Sequence, residues 1–281
     1  MYKPQSKLPD ISIVTCSYQQ GKFLDATMRS VLDQRYVNVD YIVIDGGSTD
    51  GSTAIIQQYA SQLAYWVSEP DDGQTAALIK GFKQSTAEIQ GWLCSDDLLL
   101  PGALKTVVLF FASHPEVDAV YGDSLWIDST GRYLRPKKEI GFNRFAFLFD
   151  HNYISQPSMF WRKRLYDKVN GLDASFNLAM DADLWERFSR HTKIAHIPQY
   201  ISCMRYYPEQ KTRALKPKGL LEDRKIRQRS GVALSTLHPI LSPLAKSVRI
   251  VMKILAGGYR AKPSKKLLTS LKHYFISGEV S

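Results

Sequence analysis

Short apolar runs alternate with apolar residues at helical spacing through the first hundred positions. Ile11-Ser12-Ile13-Val14-Thr15 and Tyr41-Ile42-Val43-Ile44-Asp45 are brief and β-branched, the pattern of strands buried in a parallel sheet. Between them Phe23, Leu24, Met28, Val31 and Leu32 recur as on one helix face. Tyr65-Trp66-Val67 predicts a third strand, and Gln74 to Ser85 a helix. A fourth strand, Ile89 to Cys94, runs into Ser95-Asp96-Asp97, and Pro101 then suits the first turn of a helix. The alternation predicts a doubly wound α/β domain with a mostly parallel central sheet and flanking helices. Further along, Ala119-Val120-Tyr121, Ser158-Met159-Phe160-Trp161 and Ile194-Ala195-His196-Ile197 read as strands. Asp181 to Arg190 reads as a helix with Leu184, Trp185 and Phe188 on one face.

Composition narrows the class. Of 281 residues, 44% are apolar and 23% charged, ordinary for a globular protein and unlike a disordered or collagen-like chain. No uninterrupted apolar run approaches the roughly 18 residues of a membrane span. Cys16, Cys94 and Cys203 are few, odd in number and without metal-ligand spacing, which predicts reduced thiols in a cytoplasmic protein. The opening Met1-Tyr2-Lys3-Pro4-Gln5 lacks the apolar stretch of a secretory signal.

Net charge is informative once divided. Residues 1–210 hold 21 Lys and Arg against 24 Asp and Glu, whereas residues 211–281 hold 16 against 3. A near-neutral body with a basic helical tail predicts an anionic partner for the tail. On a helical wheel, Leu241, Leu244, Val248, Val251 and Leu255 share one face, and Lys246, Arg249 and Lys253 another. That pattern suits an anionic membrane surface. The same apolar face is also compatible with packing on the body or on a second copy of the chain, as in a homo-oligomer. Nucleic acid is not expected, because the tail has no reading motif and its aromatics, Tyr259, Tyr274 and Phe275, are sparse.

In an open α/β sheet, ligands bind beyond the carboxyl ends of the strands. Three of the predicted strands end in polar sequence: Thr15-Cys16-Ser17-Tyr18, Asp45-Gly46-Gly47-Ser48-Thr49-Asp50-Gly51 and Ser95-Asp96-Asp97. Adjacent carboxylates such as Asp96 and Asp97 repel unless a positive charge offsets them, and a hard divalent cation would do so. A solvated turn or helix cap is the alternative. Asp45 and its paired glycines suit close approach to a nucleotide, or equally a tight turn capped by Ser48 or Asp50. Neither common glycine-rich phosphate fingerprint is present.

These segments, with Ser68-Glu69-Pro70-Asp71-Asp72-Gly73-Gln74 and Gly91-Trp92-Leu93-Cys94 between them, resemble the ordered signatures of glycosyltransferase family 2. The likeness extends to Gln156-Pro157-Ser158 and to Met180-Asp181-Ala182-Asp183-Leu184-Trp185-Glu186-Arg187, covering about residues 9–212. It implies the GT-A fold and an inverting, nucleotide-sugar-dependent transferase, similar to the branch that builds bacterial surface polysaccharides. By position it implies that Thr15, Cys16, Tyr18 and Asp45 hold the base, usually uracil, and that Ser95 and Asp96 belong to the donor site. Asp96 falls on the metal-binding aspartate of the D-x-D motif, with Mn²⁺ or Mg²⁺ as the cofactor. Asp97 is its acidic neighbour, and Cys94 stands where that motif has its first acid. Asp181 falls on the catalytic base, with Met180 replacing a Glu. Tyr207, after Arg205, stands near a histidine of many relatives, and Gln156 and Trp161 fall on the acceptor side.

The chemistry agrees with this division. Inverting transfer is one in-line displacement with a good leaving group, so it needs charge stabilisation at the diphosphate and one base for the acceptor hydroxyl. The expected organisation is a transferase domain over 1–210, with a nucleotide-sugar half at about 9–100 and an acceptor half at about 101–210, followed by the tail at 211–281. The expected partners are a UDP-linked donor and a glycan or lipid-linked glycan acceptor, and the expected setting is the inner face of the cell membrane. Rival readings are a sugar nucleotidyltransferase, a non-catalytic sugar-nucleotide-binding protein and a nucleic-acid binder. The first would carry a basic, glycine-rich loop near Thr15, which is absent.

Overall fold

A computed structural model describes residues 8–34, 38–231 and 234–275. In chain order its elements begin with β1 (Ile11–Ser17), α1 (Gly21–Leu32), β2 (Val39–Asp45), α2 (Ser52–Gln58), β3 (Tyr65–Ser68) and α3 (Gln74–Gln84). Then come β4 (Ile89–Trp92), β5 (Leu98–Leu99), α4 (Ala103–Ser113), β6 (Ala119–Ile127), β7 (Tyr133–Lys137) and α5 (Arg144–Phe149). The last part of the body holds β8 (Met159–Arg162), α6 (Lys163–Lys168), α7 (Met180–Ser189) and β9 (Ala195–Arg205). Four more helices follow: α8 (Lys211–Ala214), α9 (Lys216–Arg229), α10 (Leu234–Leu255) and α11 (Lys265–Lys272).

The strands form one sheet in the order β3-β2-β1-β4-β8-β6-β9-β5, with β7 on β6. β1, β2, β3 and β4 are parallel, in register from Ile11 opposite both Val39 and Ile89. β8 runs against β4 and β6, and β6 is again parallel to β9. The expected alternation of the first half is therefore present, while the second half mixes directions. Side-chain parity sets the layers. Ile11 and Ile13 pack with α1, α2 and α4 through Leu24, Met28, Ile56, Leu104 and Val107. Val14 and Cys16 face α3 and α7 through Ala77, Leu78, Leu184 and Trp185.

The segment after 211 closes against the body at several points. Ile226 of α9 and Ala245 of α10 join the core on the α3 side, with Leu241 and Met252 half-buried against it. Leu271 and Tyr274 are buried with Leu98, Leu125 and Cys203. The expected two faces of the 241–255 helix are redistributed. Arg249 Nε meets Asp150 Oδ2 at 2.5 Å and Lys253 Nζ meets Glu139 Oε1 at 3.2 Å, so two cations of the basic face point inward. Leu244, Val251 and Leu255 are exposed. The acids on the body, invisible to a wheel of one helix, decide this orientation.

Helix α3 approaches the sheet closely at Gly81. A Cβ there would lie 2.4 Å from Val14 Cγ1 and 3.3 Å from Ile44 Cγ1, so α3 sits on β1 and β2 only because position 81 lacks one. Gly81→Val is expected to cost about 1–3 kcal/mol or more through overpacking. A lowered urea midpoint with an unchanged slope is the expected reading, and an unchanged midpoint would show that α3 can shift at no cost.

Candidate active site

The carboxyl ends of β1, β2 and β4 meet at one edge of the sheet. Tyr18, just past β1, is 63% exposed and leans over Gly46. A Cβ on Gly46 would lie 3.2 Å from the Tyr18 ring and 3.1 Å from Asp71 Oδ2, so glycine is what lets these side chains approach. Asp45 is buried, and its oxygens accept from Ser48 N (2.8 Å), Ser48 Oγ (2.6 Å) and Ser68 Oγ (2.7 Å). It holds its own turn beneath the Tyr18 edge and presents no exposed oxygen to a base.

Deeper in the same edge, Cys94 lies just past β4 beside Cys16 of β1. Interaction with the Cys16 thiol, and then burial, push the Cys94 thiol well above its ordinary value. Cys94 Sγ also donates to Gln156 Oε1 (3.3 Å) and accepts from Gln74 Nε2 (3.4 Å). Gln74 Oε1 in turn accepts from Lys211 Nζ at 3.2 Å, and the same ammonium donates to the Asn177 carbonyl at 2.8 Å.

The turn at 95–97 is held from two sides. The Thr27 hydroxyl of α1 lies 2.8 Å from the Ser95 carbonyl and 2.9 Å from that of Asp97. From β9, Arg205 N donates to Asp97 Oδ1 (2.8 Å) and Arg205 Nε to the Asp96 carbonyl (2.8 Å). The Tyr207 hydroxyl donates to Asp96 Oδ2 at 2.8 Å. One ligand atom each from Cys94, Asp96 and Asp97 lie within 4.8 Å of one another. Burial raises the Asp96 carboxyl above its ordinary value, and burial followed by the Asp96 charge raises Asp97 further. Two carboxylates so close, each disfavouring the other's charge, fit a hard divalent cation completed by oxygens of a ligand.

Asp181 opens α7 on the other side of the site. It is half-buried, and Asn152 Nδ2 donates to its Oδ2 at 2.9 Å. Burial, and then the charge of Asp223 on α9, push its carboxyl from the ordinary 3.8 up to about 6. It lines a cleft of about 220 Å³ with Asn152, Thr212, Lys216, Leu220 and Asp223. Lys137 of β7 is near enough for its charge to interact with Asp181, and burial lowers that ammonium to about 8. Asp183 offers no substitute base, because Asp183 Oδ2 lies 2.7 Å from Arg187 Nη2 inside the protein.

Several residues expected from the sequence thus meet here: Cys16, Tyr18, Ser95, Asp96 and Gln156 line or support this edge of the sheet. Two do not. Thr15 is fully buried, with its hydroxyl 3.0 Å from Tyr41 Oη, because it shares strand parity with Ile11 and Ile13. Trp161 is likewise fully buried, donating from Nε1 to Gln90 Oε1 at 3.1 Å within a cluster of Phe82, Trp92 and Trp185. Its ring faces other rings, so it offers no platform to a sugar. The sequence reading missed Lys211, Asn152, Asp223 and Lys137. Asp223 and Lys211 lie in the basic segment, where composition hid them. Asn152 and Lys137 carry no motif.

Comparison with known proteins accounts for this architecture. Residues 12–170 match the family model described as Glycosyl transferase family 2. A Mycobacterium tuberculosis (strain CDC 1551 / Oshkosh) protein described as uncharacterized glycosyltransferase MT1564 is 29% identical over 177 residues, 62% of this chain and 67% of that one. Staphylococcus aureus TarS 1–349, solved in complex with UDP, superposes with a TM-score of 0.63 at 15% identity, covering 95% of this chain and 81% of that one. The mannosyltransferase PcManGT of Pyrobaculum calidifontis, solved with GDP-Man and Mn²⁺, gives 0.58 at 16% identity over 98% and 88%. The sheet with its flanking helices is the GT-A fold of these glycosyltransferase structures. With more than half of its length matched to the family, this chain is a glycosyltransferase and belongs to glycosyltransferase family 2.

Proposed function

We propose that the enzyme is an inverting transferase that moves a sugar from a UDP-linked donor to a hydroxyl of a glycan or lipid-linked glycan. The observation that carries this reading is the separation of two carboxylate environments. Asp96 and Asp97 crowd together at the donor edge, whereas Asp181 stands in its own cleft with its carboxyl raised to about 6. A base works best when its pKa lies near the operating pH. The UDP of TarS and the GDP-Man and Mn²⁺ of PcManGT support a nucleotide-sugar donor and a divalent cation here. The setting we infer is peripheral, at the inner face of the cell membrane.

In this mechanism Asp181 accepts the proton of the acceptor hydroxyl. The freed oxygen attacks the anomeric carbon from the side opposite the nucleoside diphosphate, whose bond to that carbon breaks, and the configuration inverts. Asn152 fixes one Asp181 oxygen. Asp96, with Asp97 beside it, would hold Mn²⁺ or Mg²⁺, which when bound offsets negative charge on the diphosphate. Tyr207 and Arg205 orient the carboxylates for that task. The half-buried thiol at 94 keeps the first position of the motif uncharged. Tyr18 offers a ring face to the base.

Two predictions follow from the two carboxylate sites. In the first, UDP-, GDP- and dTDP-sugars are compared by thermal shift with and without Mn²⁺. Binding at 100 times Kd stabilises a fold by about 2.7 kcal/mol. A UDP-sugar with Mn²⁺ is expected to raise Tm most, and Asp96→Ala is expected to abolish the Mn²⁺-dependent part. An equal rise in that variant, or full turnover in excess chelator, removes the metal role. A larger rise with a GDP-sugar reassigns the base.

The second concerns Asp181→Asn. Turnover should fall by roughly 10²–10⁴ while the donor-induced Tm shift survives. In the unaltered enzyme the rate should decline as pH falls below about 6, where the carboxylate is lost. Stability has the opposite sign. The folded pKa exceeds the unfolded value, so between about 4 and 6 the native state binds more protons and rising pH destabilises it. Asn lacks that penalty, so the variant should melt higher than the parent at neutral pH and show no such gain near pH 4. Near-parental turnover would show that the base lies elsewhere.

A further inference from the structure

α10 packs Leu241, Ala245 and Met252 against the body yet carries a second apolar stripe on its outer surface, unlike a usual surface helix. Such a helix ordinarily turns its apolar stripe inward and its charges to water. Here Arg249 and Lys253 are turned toward Asp150 and Glu139, and Ile240, Leu244, Val251, Ile254 and Leu255 face outward, between 54% and 82% exposed. The spacing of these five positions puts them on one stripe. Single exposed aliphatic residues are ordinary, but clusters mark interaction surfaces. Of thirteen large apolar residues exposed among the described residues, nine lie between Leu215 and Tyr259.

Charge identifies the occupant. Residues 224–275 contain twelve Lys and Arg and no Asp or Glu. Lys246, Arg260, Lys262, Lys265, Lys266 and Lys272 are exposed and form no ion pair with an acid among the described residues. A second copy of the chain would bring two such acid-free surfaces together, and like charges would oppose the contact. Nucleic acid would match the cations but gain nothing from the aliphatic stripe. An anionic bilayer matches both. Its headgroups draw the cations, and its acyl boundary receives the stripe. Tyr259, 61% exposed at the end of the helix, suits the interface between the two. Among the described residues no helix is long and apolar enough to cross a membrane, so α10 would lie in the plane of the surface.

We propose that the outward face of α10, through Ile240, Leu244, Val251, Ile254 and Leu255, docks the enzyme on an anionic lipid bilayer. The basic residues around it act as the electrostatic rim. α9, which lines the Asp181 cleft with Leu220 and Asp223, leads directly into α10. Docking therefore brings a lipid-linked acceptor near the base, a consequence that rests on the function proposed for Asp181.

The test uses the full chain with vesicles of phosphatidylglycerol and phosphatidylcholine, and with phosphatidylcholine alone. The parent should float with the anionic vesicles, less at raised salt, and poorly with the neutral ones. The triple substitution Leu244→Ser, Val251→Ser and Ile254→Ser alters only outward side chains. It should lower vesicle affinity at least about tenfold while retaining the donor-induced thermal shift. Arg249→Gln with Lys253→Gln should lower Tm but leave vesicle affinity of the folded protein within about twofold, because these cations serve the body. Unchanged flotation of the triple variant overturns the proposal. So does a dimer in lipid-free solution that the triple substitution dissolves, since the stripe would then belong to a second copy. A parent that shows the donor shift but never binds vesicles overturns the docking face and leaves the transferase reading intact. A parent that binds vesicles but no nucleotide sugar does the reverse.

Discussion

A buried guanidinium is the condition on which the acidic turn at 95–97 depends. Arg205 is almost fully enclosed, and its N–H groups reach the carbonyls of Asp96, Asp128 and Ser129 while its backbone N–H reaches the Asp97 carboxylate. Its plane also lies 4.3 Å from the centre of the Phe23 ring. Two adjacent carboxylates at the end of an apolar strand would otherwise face each other with little solvent between them. A buried charge without hydrogen bonds is costly, and one with its donors satisfied is tolerable. Because Arg205 ends β9, the long strand that pairs with both β6 and β5, the acidic turn is tied to the second half of the sheet as well as to β4.

The Asp181 cleft follows another constraint. The backbone N–H groups of Asn177, Leu178 and Ala179, which run into α7, donate to the Glu222 carboxylate at 2.8–3.1 Å. A carboxylate there is favoured by the positive end of the helix. Asp181, one residue into α7, shares that environment with a charge already present. Asp223, next to Glu222, adds to the negative potential. Burial is the larger cause of the raised Asp181 carboxyl, and α9 adds to it through Asp223, 42 positions further along the chain.

What the sequence revealed tracks the range over which each feature is determined. The strands β1 to β4 are legible because β-branched runs between helix-spaced stretches leave few alternatives. β5 is two residues long, and β7 carries Pro136 with exposed Leu134 and Arg135, so neither has a pattern to read. Asp96 and Asp181 stand in motifs, and their surroundings suit the roles that the resemblance implied. Thr15 was misjudged although its parity with Ile11 and Ile13 was readable, because every residue of β1 is buried and alternation carried no polar contrast. Lys211, Glu222 and Asp223 were hidden for a different reason. Their partners lie on α3, in the turn that runs into α7 and on α7 itself, and a charge count over 211–281 treats them as an average.

The placement of Glu222 and Asp223 bears on how such an enzyme can be recombined with its relatives. A chimera joined at 210, where the charge composition changes, would separate α7 from the carboxylate that satisfies its leading N–H groups and Asp181 from the charge that raises its pKa. A junction after Gly231 keeps α9 with the body and exchanges α10 and α11 as a unit. The Asp181 cleft would then travel with the first segment and the surface that α10 presents with the second. Two properties encoded within one short basic stretch would become separately heritable.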